Sequence, residues 1–325
     1  MGGMVKMKNI VAYIRGGLGD VYPAISSIKS IAEKENINKQ NILVITDSVY
    51  YFRDNYPKEL SDYSIEMIRH LTNNIITIPP QINDNFWLNK NDIRFDDTTN
   101  ELSQEEADKN FNEFMFWRPD SLREFVLRFL YKDTIFIDSL FTECILFWNE
   151  YKYERVGNER ATFKFTPTKL EKDLIDNWFE EFHKHIIIPV RKKKEGDAHT
   201  ETDDFYQNII TWCNENNITP MLIGIEGDKY EGYFKDMRGS NIFTFEGMAY
   251  LIDKCKVMLG NDSGFSAIKL YQQQKDKLLI MNYPRWDRSP WYFRAIKDKS
   301  NCLLLDARED NLDKIKKAIG DYYGI

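Results

Sequence analysis

The stretch Val11–Ile31, VAYIRGGLGDVYPAISSIKSI, decides the fold of this chain. Its apolar start, Val11–Ile14, is typical of a parallel strand that is buried on both faces. A glycine-rich loop follows, and after it apolar residues recur at intervals of three and four, as one buried helix face requires. The pattern predicts a strand, a tight loop and a helix. A helix N-terminus beside a bare loop suits an anion site or the edge of an active site.

This loop contains a first group of candidate site residues: Arg15, Gly16, Gly17 and Gly19. They do not form the dinucleotide fingerprint, because Tyr22 stands where its third glycine should be, and no Gly-Lys-Ser/Thr closes a Walker loop. An ordinary βα turn stays open as an alternative. Asp20 also has two interpretations, as the N-cap of the helix or as a functional carboxylate. We expect Pro23 in the first helical turn, where its missing N–H costs nothing.

Length and composition limit the classes of protein to which this chain can belong. The chain has 325 residues, 42% of them hydrophobic, and a net charge of −7. This length fits two domains of ordinary size. The acidic balance gives no general attraction to nucleic acid or to anionic membranes, so a nucleic acid acceptor would need local contacts. No signal peptide or membrane-spanning run is found, and the four cysteines are widely spaced, so we expect a cytoplasmic protein with reduced thiols.

Short apolar runs alternate with helical patterns along most of the chain. This alternation predicts an α/β protein with a parallel, doubly wound sheet in each half. The charged stretch 150–168 lacks periodicity and is interpreted as the crossing between the halves, while Ile242–Phe245 is expected to form a short strand. The expected parts are an N-terminal Rossmann-like domain over 1–160, a C-terminal one over 161–310, and a helix over 311–325 that packs back toward the first.

The second half repeats the opening pattern in Val257–Ile268, VMLGNDSGFSAI. An apolar strand leads into a glycine-containing turn and then into a helix. Free N–H groups in such a turn could hold a diphosphate. The alternative is a helix start capped by an aspartate or serine side chain. The candidate residues of this turn are Gly260, Asn261, Asp262, Ser263 and Gly264.

Two further segments follow apolar strands and would meet the same sheet edge. Arg191 and Lys192 come after Ile186–Val190 and could neutralise phosphates, although a solvated charge run is the alternative. Arg285 and Trp286 come shortly after Leu278–Ile280, and they could contact a phosphate and stack on a base. Ligands of doubly wound sheets bind at the carboxyl ends of the strands, so we expect the site in a cleft between two facing sheets.

Taken together, RGGLGD at Arg15–Asp20 and GNDSG at Gly260–Gly264 resemble the two signature loops of the family 9 glycosyltransferases. These are the heptosyltransferase-like enzymes of the glycosyltransferase-B fold. Three more stretches resemble that family in order and spacing: IIIPVRKKKEG at Ile186–Gly196, MLIGIEGDKY at Met221–Tyr230, and FEG at Phe245–Gly247 with the helix to Cys255. The resemblance covers most of residues 10–30 and 185–293, and it is missing from 81–165.

The resemblance implies two facing Rossmann-like domains, an acceptor-side one followed by a donor domain. It implies an inverting, metal-independent glycosyltransferase that moves a sugar of the hexosyl or heptosyl class from a nucleotide-diphosphate donor to a glycan or another hydroxyl-bearing acceptor. Asp20 would be the general base. The loop before it would form the acceptor side, Asp262, Ser263 and Gly264 would lie against the donor, and Arg191 or Lys192 would offset phosphate charge.

Other sequence features restrict the possible reactions without identifying one. The sequence has no Asp-x-Asp motif, and its four histidines lack metal-ligand spacing, so we expect no metal and no cofactor besides the nucleotide sugar as co-substrate. Ala267 stands about where the family carries a histidine, and Lys269 is a further candidate for a phosphate contact. Two alternatives stay open: a sugar-nucleotide epimerase of the same architecture, and an inactive nucleotide- or glycan-binding protein.

Overall fold

A computed structural model describes the following residues of the chain: 9–14, 18–46, 58–77, 134–140, 143–147, 153–155, 162–190, 202–224, 229–239, 243–261, 263–272, 276–283, 301–307 and 309–325. The chain divides into two compact units, Met1–Ala161 and Thr162–Ile325. Each unit contains one six-stranded sheet. The predicted α/β class with parallel sheets is confirmed. In the described part of the chain, no helix has the length and apolar character needed to cross a membrane.

The first unit is built around its opening strand, β1. Its elements in chain order are β1 (Asn9–Ile14), α1 (Leu18–Lys34), β2 (Ile42–Thr46), α2 (Lys58–Arg69), β3 (Ile75–Thr77), β4 (Thr134–Leu140), β5 (Glu143–Phe147) and β6 (Tyr153–Arg155). The sheet order is β3-β2-β1-β4-β5-β6. β1 pairs in parallel with both β2 and β4, and this central position explains its apolar sequence.

One edge of the first sheet differs from the prediction. β5 runs antiparallel to β4, and β6 runs antiparallel to β5, so this sheet is mixed. Only residues 141 and 142 separate β4 from β5, and a connection that short can join antiparallel strands but not parallel ones. The charged stretch 150–168 contains the division between the two units, after Ala161, and also the strand β6, which we had not expected there. The sequence pattern of 103–130 predicts two helices, and this stretch lies outside the described residues.

The second unit has a sheet that is parallel throughout its described pairs. Its elements in chain order are α3 (Lys169–Glu181), β7 (His185–Val190), α4 (Asp203–Glu215), β8 (Thr219–Gly224), β9 (Lys235–Asp236), α5 (Phe245–Lys254), β10 (Val257–Gly260), α6 (Gly264–Gln272), β11 (Leu278–Tyr283), β12 (Cys302–Asp306) and α7 (Leu312–Tyr323). The sheet order is β12-β11-β10-β7-β8-β9. β7 and β10 are central and buried along their whole length.

The C-terminal helix α7 packs on the second sheet. Ile315 and Ile319 are fully buried in a core that also contains residues of α4 and β7. The Tyr323 hydroxyl donates to the carbonyl of His185 and accepts from the N–H of the same residue. The described contacts of this helix lie in the second unit, and its expected packing toward the first domain stays a prediction.

The segment that enters the second unit is fastened to it before α3 begins. Gln272 pairs with both backbone groups of Phe163, accepting from its N–H at 2.9 Å and donating to its carbonyl at 2.7 Å. Phe165 packs edge-on against Phe245, with ring centroids 6.1 Å apart. Residues 162–168 therefore pack as part of the second unit.

One carboxylate caps two helices of this unit. Glu171 accepts from the N–H and hydroxyl of Thr168, the N-cap of α3, and from the N–H and hydroxyl of Thr244, the N-cap of α5. Burial raises the pKa of Glu171, but these hydrogen bonds outweigh it and hold the pKa below its usual value. Because Thr244 caps a helix that begins at Phe245, the strand predicted at Ile242–Phe245 is wrong over its described residues.

Candidate functional site

The candidate site centres on the turn between β10 and α6, at the carboxyl edge of the second sheet. β10 lies between β11 and β7, so the turn emerges from the middle of the sheet. Parallel α/β sheets bind their ligands at this edge. Of the predicted turn residues, the structure describes Gly260, Asn261, Ser263 and Gly264 and brings them together here.

Gly260 is required by close packing. A Cβ atom at this position would lie 2.6 Å from the Sδ of Met281 and 2.8 Å from the Oγ of Ser266. Gly260 is not among the described glycines with positive φ, so backbone freedom does not explain it. The missing side chain instead lets α6 approach the end of β10 closely.

Ser263 is the N-cap of α6. Its Oγ accepts from the N–H of Ser266 at 3.3 Å and lies 3.0 Å from the Oγ of that residue. The serine alternative that we left open for the cap is therefore confirmed. The N–H groups of Gly264 and Phe265, in the first turn, have no acceptor inside the helix. They and the helix dipole are suited to a phosphate oxygen.

Asn261 is buried, with 5% of its surface exposed, and is held on several sides. Its side-chain N–H groups donate to the carbonyl of Pro189 at 2.9 Å and to the hydroxyl of Tyr206 at 3.3 Å. Its backbone N–H donates to the Oγ of Ser266 at 3.0 Å. Its Oδ1 has no hydrogen-bond partner within the part of the chain that the structure describes.

Sequence reasoning missed the part played by Pro189 and Tyr206 in this turn. Tyr206 occupies an ordinary buried position on α4 and packs edge-on against Tyr230, with ring centroids 6.2 Å apart. Nothing in the amphipathic pattern of α4 distinguishes it from other core residues. The link appears only once the sheet order places β7 beside β10.

In the first unit the helix begins earlier than predicted. α1 starts at Leu18, so Gly19 and Asp20 both lie in its first turn, and the N-cap interpretation of Asp20 is wrong. Pro23 is the sixth residue of the helix rather than part of its first turn. Because proline has no N–H, the carbonyl of Gly19 lacks the donor that a helix normally supplies from four residues ahead.

Several predicted site residues cannot be placed. They lie outside the described residues: Arg15, Gly16, Gly17, Arg191, Lys192, Asp262, Arg285 and Trp286. Their roles stay predictions. Among the residues that are described, no group of three or more histidine, cysteine, aspartate or glutamate side chains could hold a metal ion.

Lys269 does not have the role that we considered for it. Its Nζ is buried and donates to the carbonyls of Ile252 at 3.1 Å and Cys255 at 2.6 Å, with Asp253 at 3.4 Å. These carbonyls lie at the C-terminal end of α5, where a cation is favoured. The interpretation of Lys269 as a phosphate contact is therefore wrong, because its amino group is already engaged inside the protein.

Comparisons with known proteins support the same class of fold. No protein-family model matches the chain, and no curated protein matches it. The chain is similar to the solved structure of ADP-heptose LPS heptosyltransferase II from E. coli, with 12% identity and a TM-score of 0.53 over 97% of this chain and 98% of that one. This likeness confirms the predicted fold class, of glycosyltransferase-B type, and the resemblance to heptosyltransferases at the level of the fold.

Two further structures are similar at lower TM-scores. The family 9 glycosyl transferase from Veillonella parvula has 12% identity and a TM-score of 0.47, covering 99% of this chain and 94% of that one. The E. coli heptosyltransferase WaaC with ADP has 10% identity and a TM-score of 0.46, covering 97% and 99%.

Proposed function

We propose that the protein is a glycosyltransferase that moves a hexosyl or heptosyl group from a nucleotide-diphosphate sugar to an acceptor hydroxyl. The observation that carries the proposal is the β10–α6 turn, where a central parallel strand ends at a helix N-terminus capped by Ser263. The full-length likeness in fold to an ADP-heptose-dependent enzyme supports it. We propose further that the transfer inverts the anomeric carbon and needs no metal.

On the donor side, the N–H groups of Gly264 and Phe265 would hold the diphosphate. Arg191 and Lys192, which follow the end of β7, would neutralise its charge as it leaves. Arg285 would contact a phosphate, and Trp286 would stack on the base. The donor side thus surrounds the leaving group with cations and helix dipoles. These stabilise its developing negative charge without a metal.

On the acceptor side, Asp20 would act as the general base. Its carboxylate takes the proton of the acceptor hydroxyl, whose oxygen attacks the anomeric carbon from the face opposite the diphosphate. The bond from that carbon to the diphosphate oxygen breaks, and the diphosphate keeps the electron pair. A position in the first turn of α1 favours the charged form of a carboxylate. Gly16, Gly17 and Gly19 would leave room for the acceptor.

The substitution Asp20→Asn tests this proposal. We expect turnover to fall by roughly 10²–10⁴-fold, because the base is lost, while thermal stabilisation by the donor is kept. The measurement is donor hydrolysis and transfer to added glycans across a panel of nucleotide sugars, with the anomeric configuration of the product read by NMR. Asp313→Asn, which removes an exposed carboxylate from the first turn of α7, is the matched control and should keep full turnover.

Two outcomes would count against the proposal. If Asp20→Asn keeps its turnover, another group is the base. If the unchanged protein neither turns over nor is stabilised by any nucleotide sugar, the transferase function itself is wrong. Nucleotide binding without turnover would favour the inactive binding protein, and change of configuration within the donor would favour the epimerase.

A further inference from the structure

We propose that Asn261 is a positioning residue that holds the two proposed phosphate-contact segments at a fixed spacing. These segments are the loop that begins at Arg191 and the turn that ends at Gly264. The inference rests on the proposed function, since it concerns the same nucleotide site. It adds a role that the resemblance to known glycosyltransferases does not assign.

The side chain of Asn261 reaches the strand end that precedes the first segment. Its Nδ2 donates to the carbonyl of Pro189 at 2.9 Å, and this bond is buried. Pro189 is the last but one residue of β7, so Arg191 follows it by two positions. The bond therefore fixes the backbone just before the basic loop leaves the sheet.

The backbone of Asn261 belongs to the second segment. Its N–H donates to the Oγ of Ser266 at 3.0 Å, and its carbonyl accepts from the N–H of Ser263 at 2.8 Å. Both contacts fasten it to the first turn of α6. Asn261 thus joins the end of β7 to the start of α6, and the distance between the two segments depends on it. We call these contacts of Asn261 the clamp.

A third contact extends this clamp to α4. The Nδ2 of Asn261 lies 3.3 Å from the hydroxyl of Tyr206, which is buried. α4 is the helix into which the basic loop leads, because it starts at Asp203. Asn261 is therefore tied to the elements on both sides of that loop.

These contacts argue for positioning rather than for direct contact with the phosphates. An amide nitrogen has two hydrogens, and both are engaged by Pro189 and Tyr206. The unpartnered Oδ1 is an acceptor, and a diphosphate offers it no donor at neutral pH. The side chain can therefore serve the phosphates only through the segments that it holds.

Asn311 provides a matched control. It is also a buried asparagine in the second unit, and its Nδ2 donates to the Oδ1 of Asn282 at 3.1 Å and to the carbonyl of Asp306 at 2.5 Å. Its Oδ1 likewise lacks a partner among the described residues. It stands before α7, and its side-chain bonds reach β11 and β12 rather than β7 or α6.

The experiment compares Asn261→Ser with Asn311→Ser in the full-length chain. Titration calorimetry with ADP, GDP and UDP measures affinity, and urea unfolding measures stability. We expect both variants to lose stability, but only Asn261→Ser to weaken the affinity for the preferred diphosphate, by roughly tenfold. Tyr206→Phe, which removes the weaker of the two side-chain contacts of Asn261, should weaken this affinity by about threefold. In a donor-hydrolysis assay Asn261→Ser should raise KM and leave kcat within about threefold.

The outcomes separate the two proposals. If the unchanged protein binds a diphosphate and Asn261→Ser binds it as tightly as Asn311→Ser does, the clamp is wrong and the function stands. If the unchanged protein binds none of the three diphosphates, the proposed function and the clamp are both overturned. If Asn261→Ser does not fold, Tyr206→Phe decides, and an unchanged affinity in that variant overturns the clamp.

Discussion

His185 shows how a single buried side chain can make stability depend on pH. Its Nε2 accepts from the N–H of Lys256 at 3.2 Å, so its Nδ1 carries the proton and donates to the carbonyl of Phe182 at 2.8 Å. Burial, with smaller effects from the charges of Lys256 and Lys269, lowers the pKa of His185 to about 4, against the weaker opposing effect of the Phe182 carbonyl. The folded protein therefore favours the neutral ring.

This gives a prediction for His185→Gln. Because the folded pKa lies below the unfolded value, the contribution of His185 is complete above pH 6.5 and is lost as the pH falls toward 4. From pH 7.5 to pH 5 the unchanged protein should lose about 2 kcal/mol through this residue, and His185→Gln should not. Urea unfolding at both pH values measures the difference. His183→Gln, at an exposed position, is the control, and equal pH slopes in the two variants would contradict the prediction.

For single residues, the sequence predicted which kind of side chain acts at a position better than it predicted where that residue lies in the fold. The spacing around Ser263 was enough to predict a cap of α6, and the structure places one there. The sequence marked Gly260 as a candidate site residue. It did not show why a glycine is needed there, because Met281 and Ser266 come near it only in the folded sheet. Asp20 was placed at the wrong helix position, since three glycines in a loop give no pattern that marks where a helix begins.

Among the elements, the end of α5 depends on a residue from another helix. The Nζ of Lys269, on α6, serves the carbonyls of Ile252, Asp253 and Cys255, and Lys277 also donates to the carbonyl of Asp253. Burial and the neighbouring charge of Lys269 lower the pKa of Lys277. The sequence could not reveal this arrangement, because it requires the C-terminal end of one helix to face the side of the next.

We therefore predict that Lys269→Met acts on stability and not on ligand binding. Removing the amino group leaves buried carbonyls without their donor, so the free energy of unfolding should fall by about 2–4 kcal/mol. Lys314→Met is the control, since Lys314 forms an exposed ion pair with Glu309 at 3.0 Å and should change stability by less than about 0.5 kcal/mol. Urea unfolding and calorimetry with nucleoside diphosphates measure both effects. A loss of affinity without a loss of stability would restore the phosphate role.

Edge strands were harder to predict than central ones. β1, β7 and β10 are mostly apolar because both faces are covered, and the sequence marked each of them. β6 and β9 have only three and two residues, and their sequences YER and KD carry no alternation that distinguishes them from a loop. These residues form strands because a neighbouring strand pairs with them. Their local sequence carries no sign of that pairing.

For the molecule as a whole, the alternation of strands and helices was sufficient to predict two α/β units. What it left out was that residues 162–168 pack as part of the second unit. The segment 162–168 has the sequence TFKFTPT, in which Phe163 and Phe165 alternate with polar residues. Both aromatic rings are buried, and Gln272 binds the backbone of Phe163 from the far end of α6. The partner is more than a hundred residues away, so the composition alone suggested a linker.

This arrangement predicts how the second unit behaves when it is produced by itself. The fragment 162–325 should fold, since the contact pattern makes Thr162–Ile325 a compact unit with its own core. The fragment 169–325 lacks Phe163 and Phe165 and should be less stable by at least about 3 kcal/mol, the cost of losing one buried phenylalanine. Circular dichroism during urea unfolding compares the two. Lys164→Ala in the longer fragment is the control, because that side chain is exposed. Equal stability of the two fragments would show that residues 162–168 are a linker after all, and that the rings and the Gln272 contacts contribute little to the unit.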